Sequence, residues 1–111
     1  MGKPGRKAVQ LILPGLIRDY HIDFVVANGE NAAAGFGLTY DTAMELLDAG
    51  VDVITSGNHI WDQKEVIEFI TSENRLLRPQ NLIKGSPGNG YGIFNSRNKK
   101  RVAVINLMGN I

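Results

Sequence analysis

The fold of this chain is decided by one stretch, GVDVITSGNHIWD, residues 50–62. Its first half is rich in β-branched residues and lies between Gly50 and Gly57, a pattern typical of a buried strand. A polar segment that contains Asn58 and His59 follows directly. In open α/β sheets, ligands bind outside the carboxyl ends of the strands. The position of Asn58 and His59 therefore makes both of them candidate site residues.

A second polar segment follows another apolar run in the same way. The run IDFVVA, residues 22–27, reads as a strand, and Asn28, Gly29, Glu30 and Asn31 come immediately after it. Because consecutive parallel strands end at the same edge of a sheet, the two polar segments can converge. Two such strand tips suit a metal or a phosphate site.

The side chains at the two tips have chemistry that fits such a site, but each also has an ordinary explanation. The Glu30 carboxylate can bridge divalent cations, Asn58 can offer an amide oxygen, and His59 can ligate a metal or transfer a proton. Alternatively, Glu30 accepts hydrogen bonds from its own loop, Asn58 is a turn residue, and His59 is merely hydrogen-bonded. Residue spacing alone leaves these alternatives open.

The remaining chain alternates between helical and extended patterns. We expect helices over residues 1–20, from an N-cap at Thr39 to near Gly50, and over 63–71, and strands over 22–27, 51–55, 76–79, 91–94 and 101–107. The apolar face of the first helix should comprise Val9, Ile12, Leu13, Leu16 and Ile17. This order predicts an α/β fold: a mostly parallel β-sheet flanked by helices, with an antiparallel hairpin extension.

Several single residues have structural interpretations. Pro14, followed by glycine, should kink or weaken the first helix. Asp62 should be the N-cap of the helix that follows it, and Ile67 should be buried in that helix. Trp61 should pack under its loop, and His21 should lie on the surface.

Composition limits the function classes. The chain has 111 residues, 43% of them hydrophobic and 21% charged, as expected for one globular domain. A net charge of +1 gives no strong indication of nucleic-acid or membrane binding, and the basic run of residues 97–101 fits a hairpin turn. The absence of cysteine excludes disulfides and thiolate metal sites. No stretch is long enough to span a membrane, so we expect a cytoplasmic protein.

Several phrases together resemble the YmdB-like metallophosphoesterases, which are bacterial relatives of the calcineurin-like phosphoesterase superfamily. These phrases are NGENAA (28–33), GVDVITSGNHIWD (50–62), LRPQN (77–81), GSPG (85–88) and VAVINL (102–107). The resemblance extends over nearly the whole chain, and the combination of phrases is more specific than any one of them.

The resemblance implies a phosphodiesterase with a centre of two divalent metal ions, usually iron or manganese. Its substrates would be small phosphodiesters, including 2′,3′-cyclic nucleotides. By motif, Glu30 would bridge both metals, Asn31 would contribute to the first metal, and Asn58 would ligate the second. His59 would be the acid that protonates the leaving oxygen.

The family pattern also has parts with no counterpart here. It begins with a strand ending in Gly-Asp, whereas residues 1–6 resemble the segment after that strand, and its later histidines would follow Ile111. We therefore expect residues 1–111 to form a single incomplete metallophosphoesterase domain with weak or no activity by itself. The alternatives are a non-catalytic module that self-associates or is completed by another chain, and a Rossmann-like nucleotide-binding fragment.

Overall fold

A computed structural model describes residues 2–33 and 37–109 of the chain. Its helices and strands are α1 (Lys3–Tyr20), β1 (Val26–Asn28), α2 (Tyr40–Asp48), β2 (Val53–Thr55), α3 (Val66–Ser72), β3 (Tyr91–Asn95) and β4 (Arg101–Ile105). A 3₁₀ helix, Asn58–Asp62, lies between β2 and α3. None of the described helices is both long and apolar enough to cross a membrane.

The sheet confirms the predicted α/β architecture. β1 pairs in parallel with β2, and isolated parallel bridges join Ile54 to Leu76 and Leu77 to Asn89. β3 and β4 form the predicted antiparallel hairpin. The predicted strand over 76–79 is thus reduced to two bridges.

The first two strands begin later than predicted, and at their amino ends a side chain takes the place of one backbone acceptor. The Val25 N–H donates to the Asp52 carboxylate at 2.8 Å, and the same carboxylate oxygen receives Arg97 at 2.7 Å. Arg97 also donates to the Gly50 carbonyl at 2.9 Å. The basic run of residues 97–101 lies at the predicted hairpin turn between β3 and β4. Arg97 attaches this turn to the segment before β2.

The expected burial of α1 is wrong in part. The helix continues through Pro14, and Val9 and Leu13 pack against the core. However, Ile12 is 55% exposed and Leu16 is 39% exposed. The helix packs beside α2, and Arg6 Nε lies 2.8 Å from the Glu45 carboxylate at this contact. Only the side of α1 that carries Val9 and Leu13 is covered.

The ends of the other two helices differ in how well the sequence predicted them. Thr39 is the N-cap of α2, and it forms a capping box with Thr42. The third helix starts at Val66, later than predicted, and Glu65 is its N-cap. Ile67 is 45% exposed rather than buried, because the inner side of this short helix is occupied by Val66 and Ile70.

A buried asparagine ties the hairpin to the end of β2. The Asn106 amide donates to the carbonyl oxygens of Ser56 at 2.8 Å and Leu77 at 3.1 Å. The Ser56 hydroxyl donates to the same Leu77 carbonyl at 2.7 Å. This network fixes the backbone just before the polar segment of residues 57–59.

Replacing Asn106 with alanine is expected to destabilise the fold by about 1–3 kcal/mol, because the buried Ser56 carbonyl would lose its side-chain donor. Urea unfolding followed by circular dichroism measures the change. Asn74→Ala, at an exposed position after α3, is the matched control and should change the stability by less than about 0.5 kcal/mol. Equal stability of the two variants would show that the Asn106 network is not needed.

Candidate functional site

The pairing of the first two strands brings the carboxyl ends of β1 and β2 side by side. In their register Asn28 lies opposite Thr55, and the Gly29 N–H donates to the Thr55 carbonyl at 2.8 Å. The Asn28 side chain then accepts a hydrogen bond from the Glu30 N–H at 2.9 Å, which starts a turn. Glu30 therefore stands directly at the tip of β1.

The Glu30 carboxylate lies against the backbone that follows β2. A Cβ atom at position 57 would overlap this carboxylate, so only glycine allows the approach. The His59 N–H points to Glu30 Oε1 at 3.4 Å, which is a long hydrogen bond. The predicted convergence of Glu30 with the Asn58–His59 segment is confirmed.

The two asparagines lie in the segments that meet. Asn58 begins the 3₁₀ helix and is exposed, while Asn31 follows Glu30 and is half-buried. Both residues therefore belong to the segments that follow β1 and β2 at the edge where Glu30 lies. The structure places all four predicted site residues at this edge.

The role predicted for Asp62 is wrong. It is the last residue of the 3₁₀ helix, and its carboxylate lies 2.9 Å from His59 Nδ1. Side chains three residues apart lie almost in line in a 3₁₀ helix, which explains why Asp62 faces His59 rather than α3. The His59 and Asp62 side chains are 46% and 39% exposed, so the pair is accessible to solvent. The spacing of three residues was the signal in the sequence.

The loop after β1 returns under the 3₁₀ helix. Gly37 has φ of +67°, and a Cβ atom there would lie 2.6 Å from the His59 carbonyl oxygen. At the other side of the loop, Arg6 donates to the Ala32 carbonyl as well as to Glu45. Arg6 was not recognised from the sequence, since these partners lie far away along the chain. Residues 34–36 of the predicted loop lie outside the described part.

The predictions for Trp61, near the site, and for His21, away from it, are both confirmed. Trp61 is partly buried and packs against the core, so its ring supports the 3₁₀ helix. His21 is exposed at the end of α1, where it caps the helix in the left-handed conformation with φ of 53°.

The donor set at the tips fits a hard or borderline divalent cation in kind but supplies only part of a shell. Glu30 offers carboxylate oxygens, and Asn31 and Asn58 offer amide oxygens. Within residues 2–33 and 37–109, no group of three or more His, Cys, Asp and Glu side chains is arranged to hold a metal. The three donors are thus fewer than a tight metal site requires.

The chain belongs to the YmdB-like protein family, whose family model matches residues 1–111. It is 45% identical over 109 residues to the 2′,3′-cyclic-nucleotide 2′-phosphodiesterase of Bacillus subtilis (strain 168), covering 98% of this chain and 41% of that protein. The chain thus spans less than half the length of this relative.

Two solved structures are similar to the fold described above. A hypothetical protein from Thermus thermophilus superposes with a TM-score of 0.89 and 43% sequence identity, covering 98% of this chain and 42% of that one. A novel phosphatase from Mycoplasma pneumoniae gives a TM-score of 0.86 and 36% identity, covering 97% of this chain and 40% of that one.

A double-mutant cycle tests the contact between Gly57 and Glu30. Gly57→Ala is expected to push the Glu30 carboxylate aside at a cost of about 0.5–1.5 kcal/mol, because that carboxylate is the end of a flexible side chain and would have to leave its preferred rotamer. Adding Glu30→Ala to that variant removes the obstacle and should restore part of the lost stability. Chemical denaturation of the four proteins measures the coupling.

Gly109→Ala is the matched control, since a Cβ atom there meets nothing within 4 Å. Purely additive effects of Gly57→Ala and Glu30→Ala would mean that the two residues do not touch.

Proposed function

We propose that this chain contributes to a metal-dependent phosphodiesterase site, which hydrolyses 2′,3′-cyclic nucleotides or related phosphodiesters. The observation that carries the proposal is the meeting of the Glu30 carboxylate with the Gly57–His59 backbone at the sheet edge. The name of the Bacillus subtilis relative gives the substrate class. The proposal extends to a calcineurin-like fold, of which residues 1–111 would form one part.

In this proposal Glu30, Asn31 and Asn58 hold two divalent metal ions, iron or manganese. Glu30 would be suited to contact both ions because it has two oxygens and its carboxylate lies against the backbone that follows β2. When bound, such ions polarise phosphoryl oxygens and lower the pKa of a coordinated water.

His59 is suited to the proton transfer that phosphodiester cleavage needs. Its ring is about half exposed, and it lies beside the Glu30 segment rather than under the core. As an imidazolium it can give the proton on Nε2 to the leaving oxygen, which would otherwise depart as an alkoxide. A positioned acid of this kind contributes about 10²–10⁴-fold to the rate.

The chain by itself should be a weak enzyme or none. One carboxylate and two amides give a metal little charge compensation, and two ions would need further ligands. We therefore assign the proposed activity to the site as a whole and only half of that site to these residues.

Addition of Mn²⁺ to this chain is expected to broaden the NMR signals of Glu30, Asn31 and Asn58 first, because the ion is paramagnetic. Glu30→Ala should weaken this binding at least about tenfold, the lower end of the loss seen when residues that support metal sites are changed. Glu68→Ala, at an exposed position on α3, is the control and should leave the titration unchanged.

In the presence of Mn²⁺, this chain should hydrolyse a bis-aryl phosphodiester or a 2′,3′-cyclic nucleotide no faster than the uncatalysed reaction in the same buffer. Robust turnover by this chain, abolished by Glu30→Ala or Asn58→Ala, would refute the claim that its metal ligands are too few for activity. Broadening that is spread over other acidic side chains would refute the site itself.

A second function, assembly, is favoured by a different observation. Within the described residues, β1 pairs with β2 on one side and with no strand on the other. Val26 on this edge is 48% exposed, and Leu11, Ile12 and Leu16 of α1 are exposed too. An open strand edge favours pairing with another strand, in a second copy or another chain, and exposed apolar side chains favour association as well.

Light scattering is expected to show self-association that Val26→Lys reduces, because a charged residue on an edge strand opposes pairing. Ile83→Lys, at a loop position 87% exposed, is the matched control and should not change the measured mass. A monodisperse monomer at every concentration would argue against assembly through this edge.

A further inference from the structure

A side-chain pair at the proposed site has a geometry that the proposed function does not require. The Asp62 carboxylate lies 2.9 Å from Nδ1 of His59, within one 3₁₀ helix. An ionised carboxylate only accepts hydrogen bonds, so the proton between these atoms belongs to Nδ1. The contact therefore selects one of the two neutral tautomers of the ring.

The two residues are held in place by the short helix between them. Ile60 is completely buried, and its N–H donates to the Gly57 carbonyl at 3.1 Å. Gly37 of the neighbouring loop packs against this helix, where a Cβ atom would lie 3.3 Å from that of Asp62. The backbone of this helix therefore places His59 and Asp62 one turn apart on the same side, within reach of each other.

We infer that Asp62 is a positioning residue, which holds His59 as the Nδ1–H tautomer and turns Nε2 toward the reacting groups. The orientation of a histidine ring is set by the hydrogen bond at its second nitrogen. The catalytic consequence rests on the proposed function, whereas the tautomer belongs to the protein alone.

The proton transfer balances with this arrangement. The water oxygen forms a bond to phosphorus and releases one proton to the solvent. The bond from phosphorus to the leaving oxygen breaks, and that oxygen takes the Nε2 proton of the imidazolium. His59 is left neutral with its remaining proton on Nδ1, donated to Asp62. Because the Nδ1–H already faces the Asp62 carboxylate, the ring does not have to rotate or exchange protons to keep this hydrogen bond.

Long-range ¹H–¹⁵N NMR spectra of this chain distinguish the tautomers, because protonated and unprotonated ring nitrogens have different shifts. In mildly alkaline buffer, chosen to observe the neutral ring, His59 is expected mainly as the Nδ1–H form because of its contact with Asp62. Asp62→Ala should make the Nε2–H form predominant, as it is for neutral histidine in water. Asp62→Asn, equal in size, should lower the Nδ1–H share.

Two references are available in the same chain. His21, at the end of α1, should show no change in any variant, and Asp48→Ala at the end of α2 should leave His59 unchanged. Mainly Nε2–H in the wild-type chain, or an unchanged His59 in both Asp62 variants, would overturn the inference. No metal or substrate takes part, so the proposed function can fail while the positioning role holds, and the reverse.

Discussion

The parallel pairing of β1 with β2 is the constraint on which the rest of the site depends. Its register places Asn28 opposite Thr55, and the hydrogen bond from Gly29 to Thr55 continues it past the strand end. The polar segments after the two strands must therefore leave the sheet together. A slip of one residue would turn every side chain of the strand to the opposite face and separate Glu30 from its neighbours.

Close backbone approach then converts two strand tips into one site. Gly57 leaves room for the Glu30 carboxylate, and Gly37 leaves room for the 3₁₀ helix that carries His59. Ile60 anchors that helix in the core, while its polar residues stay at the surface. One short segment thus contains both a core residue and the polar residues of the candidate site.

The sequence predicted the parts of this arrangement that depend on neighbours in the chain. The strand positions, the cap at Thr39 and the meeting of Glu30 with His59 follow from local patterns and from the rules for parallel sheets. The hydrogen bonds of Arg6 could not be predicted, because they join residues 26 and 39 positions apart. Asp62 was misassigned because an aspartate just before a helical pattern can be either the N-cap of that helix or the last residue of a preceding 3₁₀ helix.

The most direct measurement of the central claim is the nuclear Overhauser effect between the Glu30 side chain and the Gly57 Hα protons. We expect a clear effect, since the carboxylate packs on this backbone. Effects between paired residues of β1 and β2 serve as the reference for an intact sheet. An intact sheet without any effect between Glu30 and Gly57 would contradict the account.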